Sequence, residues 1–235
     1  MGLVYKLGYF IPFLIFYFSF YLKRFNPNLG SFLWLTHFIY TIIFGKLAFM
    51  FLHSRVDFSI ILKPCCMVSV GVIFGAYTYL TILAWFLRVN PIPWWNELTL
   101  LAPLGIILIR LGNIFNGEAE GLINYATLDI IGAFILSLFF IFSEKIRKNA
   151  VIFALFFYTF WRILFTEYYR FNHYELRVFL LAFPLFLGAL ATYVFTLRLY
   201  KKGLLRNKKL ITMKDFKFVL LDYFKKLKVL FKFWV

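Results

Sequence analysis

Residues 109–121 read IRLGNIFNGEAEG and close a run of apolar residues that is typical of a membrane span. This stretch brings an arginine, two asparagines, two glutamates and three glycines to the end of that run. An arginine at the centre of a spanning helix costs roughly 2.5–3.5 kcal/mol on insertion scales, so such residues usually pair or face a polar cavity. Arg110 is therefore the first candidate functional residue, and the apolar run before it predicts a helical membrane fold.

The composition of the whole chain favours the same class. Of its 235 residues, 63% are hydrophobic, 23% are aromatic and only 15% are charged. A soluble domain of this size has no means of hiding so much apolar surface. At about 20 residues per span plus loops, the length suits about seven spans. We therefore predict an all-α membrane protein, a polytopic bundle of about seven transmembrane helices.

Hydropathy and loop charge predict how this bundle is arranged. Cytoplasmic loops carry an excess of lysine and arginine, and here Lys23, Arg24, Arg88 and Lys145 fall in loops on one side. This bias predicts an N-out/C-in orientation, with residues 109–121 near the extracytoplasmic face. We expect a seven-span domain at residues 1–200 and a basic tail at residues 201–235. The predicted spans are 8–22, 31–52, 60–86, 98–115, 125–143, 150–169 and 175–197.

The tail has the pattern of an amphipathic helix. Apolar residues recur at helical spacing at Phe216, Leu220, Tyr223, Phe224, Leu227, Phe231 and Trp234, and lysines surround that stripe. A basic helix of this kind is suited to lying in the membrane interface, where it contacts anionic lipid headgroups. The alternative is a helix that packs on the bundle, which so basic a segment makes weaker. The formal net charge of +16 therefore indicates anionic membrane lipids as partners and no nucleic acid.

The polar residues near the end of the fourth predicted span suit a phospholipid headgroup. Arg110 lies about 18 Å along its span at 1.5 Å per residue, and Arg162 lies at a matched depth in the sixth span. Two guanidinium groups can hold a phosphodiester by paired hydrogen bonds. Asn113 and Asn116 share a helix face and can bond ester or glycerol oxygens, and Glu118 can accept a proton.

Glycines and a further acidic residue lie close to this cluster in the sequence. The glycines at positions 117 and 121 allow turns and a close approach of backbone to a ligand. Asp129 begins the fifth span, so the ionisable residues of the spans gather at one level. In the alternative, Arg110 and Arg162 pair with Glu118, Glu120 or Glu167 and only tie helices together.

Residues 103–121, PLGIILIRLGNIFNGEAEG, resemble the signature of the prolipoprotein diacylglyceryl transferases. That signature reads approximately P-x-G-x-x-x-x-R-[IL]-G-N-F-x-N-G-E-x-x-G. Residues 158–170, YTFWRILFTEYYR, are similar to a second family block, with one extra residue between Arg162 and Glu167. Residues 45–49, GKLAF, resemble a third, in which Lys46 replaces an arginine.

The resemblance implies an enzyme that moves a diacylglyceryl group from phosphatidylglycerol to the lipobox cysteine of exported preproteins, releasing glycerol phosphate. It implies Arg110, Arg162 and Glu118 as catalytic residues, without a cofactor or metal. The implied substrate-binding residues are Asn113, Asn116, Gly117, Gly121, Glu167 and Lys46. The implied location is the prokaryotic plasma (inner) membrane, with the active site toward the extracytoplasmic side.

The sequence departs from the family at the proposed base. Val70 stands where the family has the histidine of its H-G-G motif, and residues 125–129, YATLD, replace H-P-[ST]-Q-L-Y-E. Either the base is a carboxylate such as Glu118, or the chemistry has changed. Two alternatives therefore stay open: a related phospholipid-dependent transferase with another acceptor, and a catalytically inactive lipid-binding scaffold.

Overall fold

The computed structural model describes residues 3–52, 59, 69–117, 123–161, 164–165, 173–207 and 210–232. Over these ranges the chain forms helices and no β-strand, which confirms the all-α prediction. A π-helical turn at Tyr17–Tyr21 joins the first two helices. The helices are α1 (Leu3–Phe16), α2 (Leu22–Arg24), α3 (Pro27–Leu52), α4 (Ser69–Phe86), α5 (Ile92–Phe115), α6 (Tyr125–Phe142), α7 (Glu144–Lys148), α8 (Ala150–Trp161), α9 (His173–Lys201) and α10 (Met213–Lys232).

Each predicted span overlaps at least one of these helices, and residues 60–68, 162–163 and 166–169 of the third and sixth spans lie outside the described residues. Among the described residues, three helical segments are long and apolar enough to cross a membrane: Pro27–Phe51, Ile92–Phe115 and Tyr125–Phe142. Two shorter apolar helices, Gly71–Phe86 and Ala150–Trp161, accompany them. The chain is therefore a helical membrane protein by length and composition, while the count of seven and the N-out/C-in orientation stay predictions.

The outer surface of the helices is apolar. Phe51 is 73% exposed and Phe142 is 81% exposed, and further phenylalanines and isoleucines project outward along the candidate spans. Within the most apolar window of each candidate span, only 28% to 33% of the residues are buried inside the protein. Contiguous apolar surface of this kind is unfavourable in water and is satisfied by lipid.

Small residues allow the helices to approach closely. α1 runs antiparallel to α5, since Gly8 lies against Ile109 while the Phe20 ring lies 5.2 Å from the Trp94 ring. A Cβ atom on Gly8 would lie 2.8 Å from the Ile109 backbone nitrogen. α3 and α4 meet in the same way, with Gly75 against Phe44. Close packing around small residues is a principal source of helix association in membranes.

α5 begins earlier than hydropathy predicts. It starts at Ile92 rather than at residue 98, directly after Pro91 at the N-cap. Its first turns contain the buried Trp94 and Trp95 and the charged Glu97, which forms an ion pair with Arg24. A hydropathy window counts Glu97 as an unbalanced charge and therefore starts the span after it. In the folded chain Arg24, which is distant in sequence, balances that charge, so the first turns of α5 are helical as well.

The chain between α9 and α10 packs against the bundle. We call residues 203–207 and 210–212 the strap, and the end of the bundle that they contact the strap end. The Arg206 backbone N–H donates to the Arg88 carbonyl at 3.0 Å, and the Ile211 N–H donates to the Arg24 carbonyl at 2.6 Å. Leu205 and Ile211 are buried. The residues on either side of the predicted 200/201 domain boundary are therefore in contact with one bundle.

Two helices, α4 and α9, end at the strap end, each with a residue in the left-handed conformation. Arg88 has φ of 55°, and the Val89 N–H donates to the Ala84 carbonyl at 2.8 Å, which closes α4 in a Schellman motif. Gly203, with φ of 71°, closes α9 through the equivalent bond from Leu204 to Leu199 at 3.1 Å. Glycine is the residue that adopts this left-handed conformation without steric cost, and Arg88 adopts it while its side chain is held by α10.

α10 is helical, as the tail pattern predicts, and it lies against the strap end. The Phe86 ring lies 5.5 Å from the Phe216 ring and 5.2 Å from the Tyr223 ring. Arg88 forms a 2.6 Å ion pair with Asp222. The opposite side of α10 exposes Phe218 together with Leu221, Lys214 and Lys217. Part of the predicted apolar stripe therefore packs on the bundle, and its lipid contact stays a prediction.

Candidate functional site

A buried ion pair joins α5 to α6 at the end of the bundle opposite the strap end. The Arg110 Nε and Nη2 atoms both lie 2.6 Å from Asp129 Oδ2. The side chains are 8% and 0% exposed. Removing one member of such a pair is strongly destabilising, because the remaining charge is left buried without compensation. We call this end of the bundle, with residues 109–117 and 123–129, the motif end.

Two polar side chains complete the surroundings of the guanidinium. The Arg110 guanidinium carbon lies 5.2 Å from the centre of the Tyr125 ring, a cation–π contact. The buried Asn113 amide lies beside Arg110 and Tyr125. It makes the most hydrogen bonds when its oxygen faces Arg110. In that orientation it accepts from Arg110 Nη1 at 3.3 Å and from the Tyr125 hydroxyl at 3.2 Å, and donates to the Ile109 carbonyl at 2.9 Å.

The beginning of α6 is fixed by a side-chain cap. Asn124 Oδ1 accepts hydrogen bonds from the Thr127 backbone N–H at 2.9 Å and from its hydroxyl at 3.1 Å. Asparagine is among the preferred N-cap residues because its side chain satisfies an N–H that the helix leaves open. The cap fixes the start of the helix, and Asp129 follows five residues after the capping Asn124.

α8 is fastened to the same region through Trp161. Its indole Nε1 donates to the Leu128 carbonyl at 3.0 Å, in the residue before Asp129. Gly132 provides the space, since a Cβ atom there would lie 2.5 Å from Trp161 Nε1. The three helices α5, α6 and α8 therefore meet around the ion pair.

The predicted site residues are only partly visible in this arrangement. Arg110 and Asn113 lie together, and Asn116 and Gly117 follow them as an exposed turn in which Gly117 has φ of 70°. Lys46 is buried in α3, whose main packing partner is α4. Glu118 and Gly121, with Glu120, lie outside the described residues, as do Arg162 and Glu167.

Histidine is absent from the ion-pair region that the structure describes. His37 is buried among α1, α3 and α4, where its Nδ1 lies 3.0 Å from the Tyr21 hydroxyl and its Nε2 lies 3.0 Å from the Ala76 carbonyl. Both ring nitrogens are thus engaged in bonds that hold helices together. His53 lies outside the described residues, and the His173 side chain is not described.

A long cavity begins at Arg110. Its volume is about 430 Å³, and its walls come from α1, α4, α5, α8 and α9, with Leu136 of α6. Along α5 the lining runs from Trp95 to Arg110, which is about 22 Å at 1.5 Å per residue. Tyr158 lines the cavity beside Arg110, while most other lining side chains are apolar or small. This volume falls within the range of small-molecule sites in proteins.

Hydrogen-bonded aromatic and threonine side chains line the other end of the cavity. The Tyr77 hydroxyl bonds the Thr99 hydroxyl, and Trp95 Nε1 donates to Thr81 Oγ1 at 3.1 Å. Tyr193 of α9 lies there too, with its ring 6.3 Å from the Trp95 ring. We call Tyr77, Thr81, Trp95, Thr99 and Tyr193 the floor. The cavity thus has a charged pair at one end, a bonded floor at the other and apolar walls between them.

This geometry matches an amphiphile better than a small polar ligand. Arg110 supplies a charged group at one end of the cavity, and most of the remaining lining is apolar or small. Sequence reasoning placed Asp129 at the right level but did not pair it with Arg110. The available signal was that Asp129 is the sole acidic residue in the predicted fifth span, residues 125–143.

Comparisons with protein families, with characterised proteins and with solved structures find no match to this chain.

Proposed function

We propose that this protein is a membrane-embedded transferase that moves the diacylglyceryl group of phosphatidylglycerol to the lipobox cysteine of exported preproteins. The observation that carries the proposal is that the buried Arg110, which contacts Asn113 and Tyr125, lies at one end of a largely apolar cavity. The resemblance of residues 103–121 to the transferase signature supports the choice of reaction. The proposal includes seven spans, N-out/C-in orientation and a location in the prokaryotic plasma membrane.

The ion pair gives Arg110 a fixed orientation for this role. Asp129 accepts from Nε and Nη2, which directs Nη1 toward Asn113. A guanidinium held in this way needs little reorganisation when negative charge develops on a departing phosphate. Arg162 and Glu167, from the second similar block, are proposed to complete the headgroup site, and Lys46 and Gly121 are proposed substrate contacts.

The proposed chemistry is a displacement at carbon. The cysteine thiol gives its proton to a base, for which we propose Glu118, and the sulfur attacks the glyceryl carbon that bears the phosphate ester. A C–S bond forms while the C–O bond breaks, and glycerol phosphate leaves with the electron pair. Arg110 stabilises the charge on that leaving group, and the apolar cavity retains hydrocarbon of the lipid.

One observation favours a second candidate, a lipid-binding protein without chemistry. Arg110 is already neutralised by Asp129, so the pair also serves to tie α5 to α6. Both candidates predict that phosphatidylglycerol binds, and they differ in whether a covalent product forms.

The test uses the purified full chain in liposomes with a synthetic lipobox peptide. Mass spectrometry of the peptide is expected to show one added diacylglyceryl group when phosphatidylglycerol is present and none in pure phosphatidylcholine. If the folded protein binds phosphatidylglycerol but never modifies the peptide, transfer to the lipobox cysteine is rejected, and the second candidate or a transferase with another acceptor takes its place.

A further inference from the structure

We infer that the cavity holds one acyl chain of a membrane phospholipid and that its floor sets the preferred length of that chain. The inference deepens the proposed function and rests on it in one respect: the headgroup of the bound lipid lies at the motif end, near Arg110. The cavity is partly open to the surface of the bundle, and named side chains mark its two ends.

The cavity follows the long axis of the bundle, because α5 and α8, which line it, run side by side along that axis. α5 and α8 start together at the strap end, where the Val151 N–H donates to Asn96 Oδ1 at 3.0 Å. Both reach the motif end, where Tyr158 and Arg110 line the cavity together. A chain that enters beside Arg110 therefore runs parallel to α5 toward the floor.

The depth of the cavity exceeds one leaflet. The hydrocarbon core of a bilayer is about 30 Å thick, so each leaflet contributes about 15 Å. The lining of α5 from Trp95 to Arg110 corresponds to about 22 Å. A chain that fills the cavity is consequently held straighter than a chain in the surrounding bilayer.

The floor is a firm stop because its polar groups bond to one another. Tyr77 pairs with Thr99 and Trp95 pairs with Thr81, so a chain that pushed further would break bonds in an apolar setting. Trp95 and Thr99 are also buried. A chain that is too short leaves empty volume and forfeits dispersion contacts, and a chain that is too long must bend back.

Gly188 of α9 offers a position at which the cavity can be shortened. It lines the cavity, and a Cβ atom there would meet nothing within 4 Å. It lies five residues before Tyr193, or about 7.5 Å above the floor. A leucine at this position is expected to fill the inner part of the cavity without a clash.

Ala191 provides the matched control on the same helix. It lines a shallow groove on the outer side of α9 with Leu187, Leu190, Val194, Phe195 and Arg198. Ala191→Leu therefore adds a similar apolar volume away from the cavity. The two variants separate an effect of chain accommodation from a general effect of bulk on α9.

The experiment measures lipid bound to the full chain by native mass spectrometry from mixed micelles. The probes are equimolar dilauroyl, dipalmitoyl and diarachidoyl phosphatidylglycerol. The wild-type protein is expected to retain the dipalmitoyl lipid over each of the others by roughly threefold or more. Gly188→Leu is expected to lower the dipalmitoyl-to-dilauroyl ratio by roughly threefold or more, and Ala191→Leu to leave it unchanged.

Two results would overturn the inference: equal retention of the three lipids by the wild-type protein, or equal ratios in the two variants. Lipid binding is measured without the transfer reaction. The acyl-chain site and the transferase activity can therefore be rejected independently of each other. Length-selective binding without peptide modification would reject the transferase and keep the chain site. Peptide modification without length selectivity would keep the transferase and reject the floor as a stop.

Discussion

Two nitrogens of Arg110 on α5 contact the same carboxylate oxygen of Asp129 on α6. Nε and Nη2 of the arginine both lie 2.6 Å from Oδ2 of the aspartate. The pair therefore has two roles in this account. It fastens two apolar helices together, and it orients the guanidinium at one end of the cavity.

Loss of the arginine alone is expected to destabilise the protein. Arg110→Met removes the guanidinium that balances the charge of the buried Asp129 carboxylate, which costs about 3–5 kcal/mol. The double variant Arg110→Met with Asp129→Leu removes both charges and is expected to recover most of that loss. Thermal unfolding in detergent, followed by tryptophan fluorescence, measures the difference. Equal unfolding temperatures for the single and double variants would show that the pair contributes no mutual stabilisation.

A methyl group at Gly132 is expected to dislodge Trp161. The Cβ atom would lie 2.5 Å from the indole nitrogen, so the ring must move and its bond to the Leu128 carbonyl is lost. Overpacking of this kind costs about 1–3 kcal/mol. Gly188→Ala is the control, since its new methyl meets open space. The prediction fails if both glycine-to-alanine variants unfold at the same temperature in detergent.

His37 is expected to act as a structural bridge rather than as a base. His37→Leu removes the hydrogen-bond partner of the buried Tyr21 hydroxyl and a bond to the Ala76 carbonyl, and leaving the hydroxyl unsatisfied costs about 1–3 kcal/mol. Adding Tyr21→Phe removes one of those groups and is expected to cost less than the sum of the two single changes. Thermal unfolding of the four proteins measures this coupling. A variant that keeps its stability but loses peptide transfer would instead place His37 in the reaction.

The strap is expected to hold α10 through Ile211. This side chain is 1% exposed, whereas the neighbouring Leu210 is 55% exposed. Ile211→Ala is expected to cost about 2–4 kcal/mol and to speed tryptic cleavage after Lys214 and Lys217. Leu210→Ala is expected to leave both properties unchanged. Identical cleavage rates in the two variants would mean that α10 is held by other contacts.

Much of the fold follows from hydropathy, because a membrane span must satisfy its backbone within one helix. That local rule predicts where the helices lie in the sequence. It does not predict the true start of α5, because Glu97 is balanced by Arg24 of α2. The contacts of α10 are likewise non-local, since Phe216 and Tyr223 depend on where α4 ends.

In the candidate site, the sequence pattern predicts which residue needs a partner, whereas helix packing determines which partner it has. A buried charge predicts a partner, and the sequence offered Glu118, Glu120 and Glu167 for Arg110. The described contact is with Asp129, because the antiparallel packing of α5 and α6 sets which residues face each other. The cavity was not predictable from the sequence, since its volume depends on how five helices are spaced.

The most direct test of the central claim compares the wild-type protein with Arg110→Lys in the liposome transfer assay. Lysine keeps the positive charge beside Asp129 but lacks the planar fork of the guanidinium. The account predicts diacylglyceryl addition to the peptide cysteine by the wild type and a rate lowered about a hundredfold in the variant. Because lysine loses the bond to Asn113 and is expected to lower the unfolding temperature, both rates are measured at a temperature at which each protein is folded. No addition by the folded wild type, or an unchanged rate in Arg110→Lys, would contradict the account.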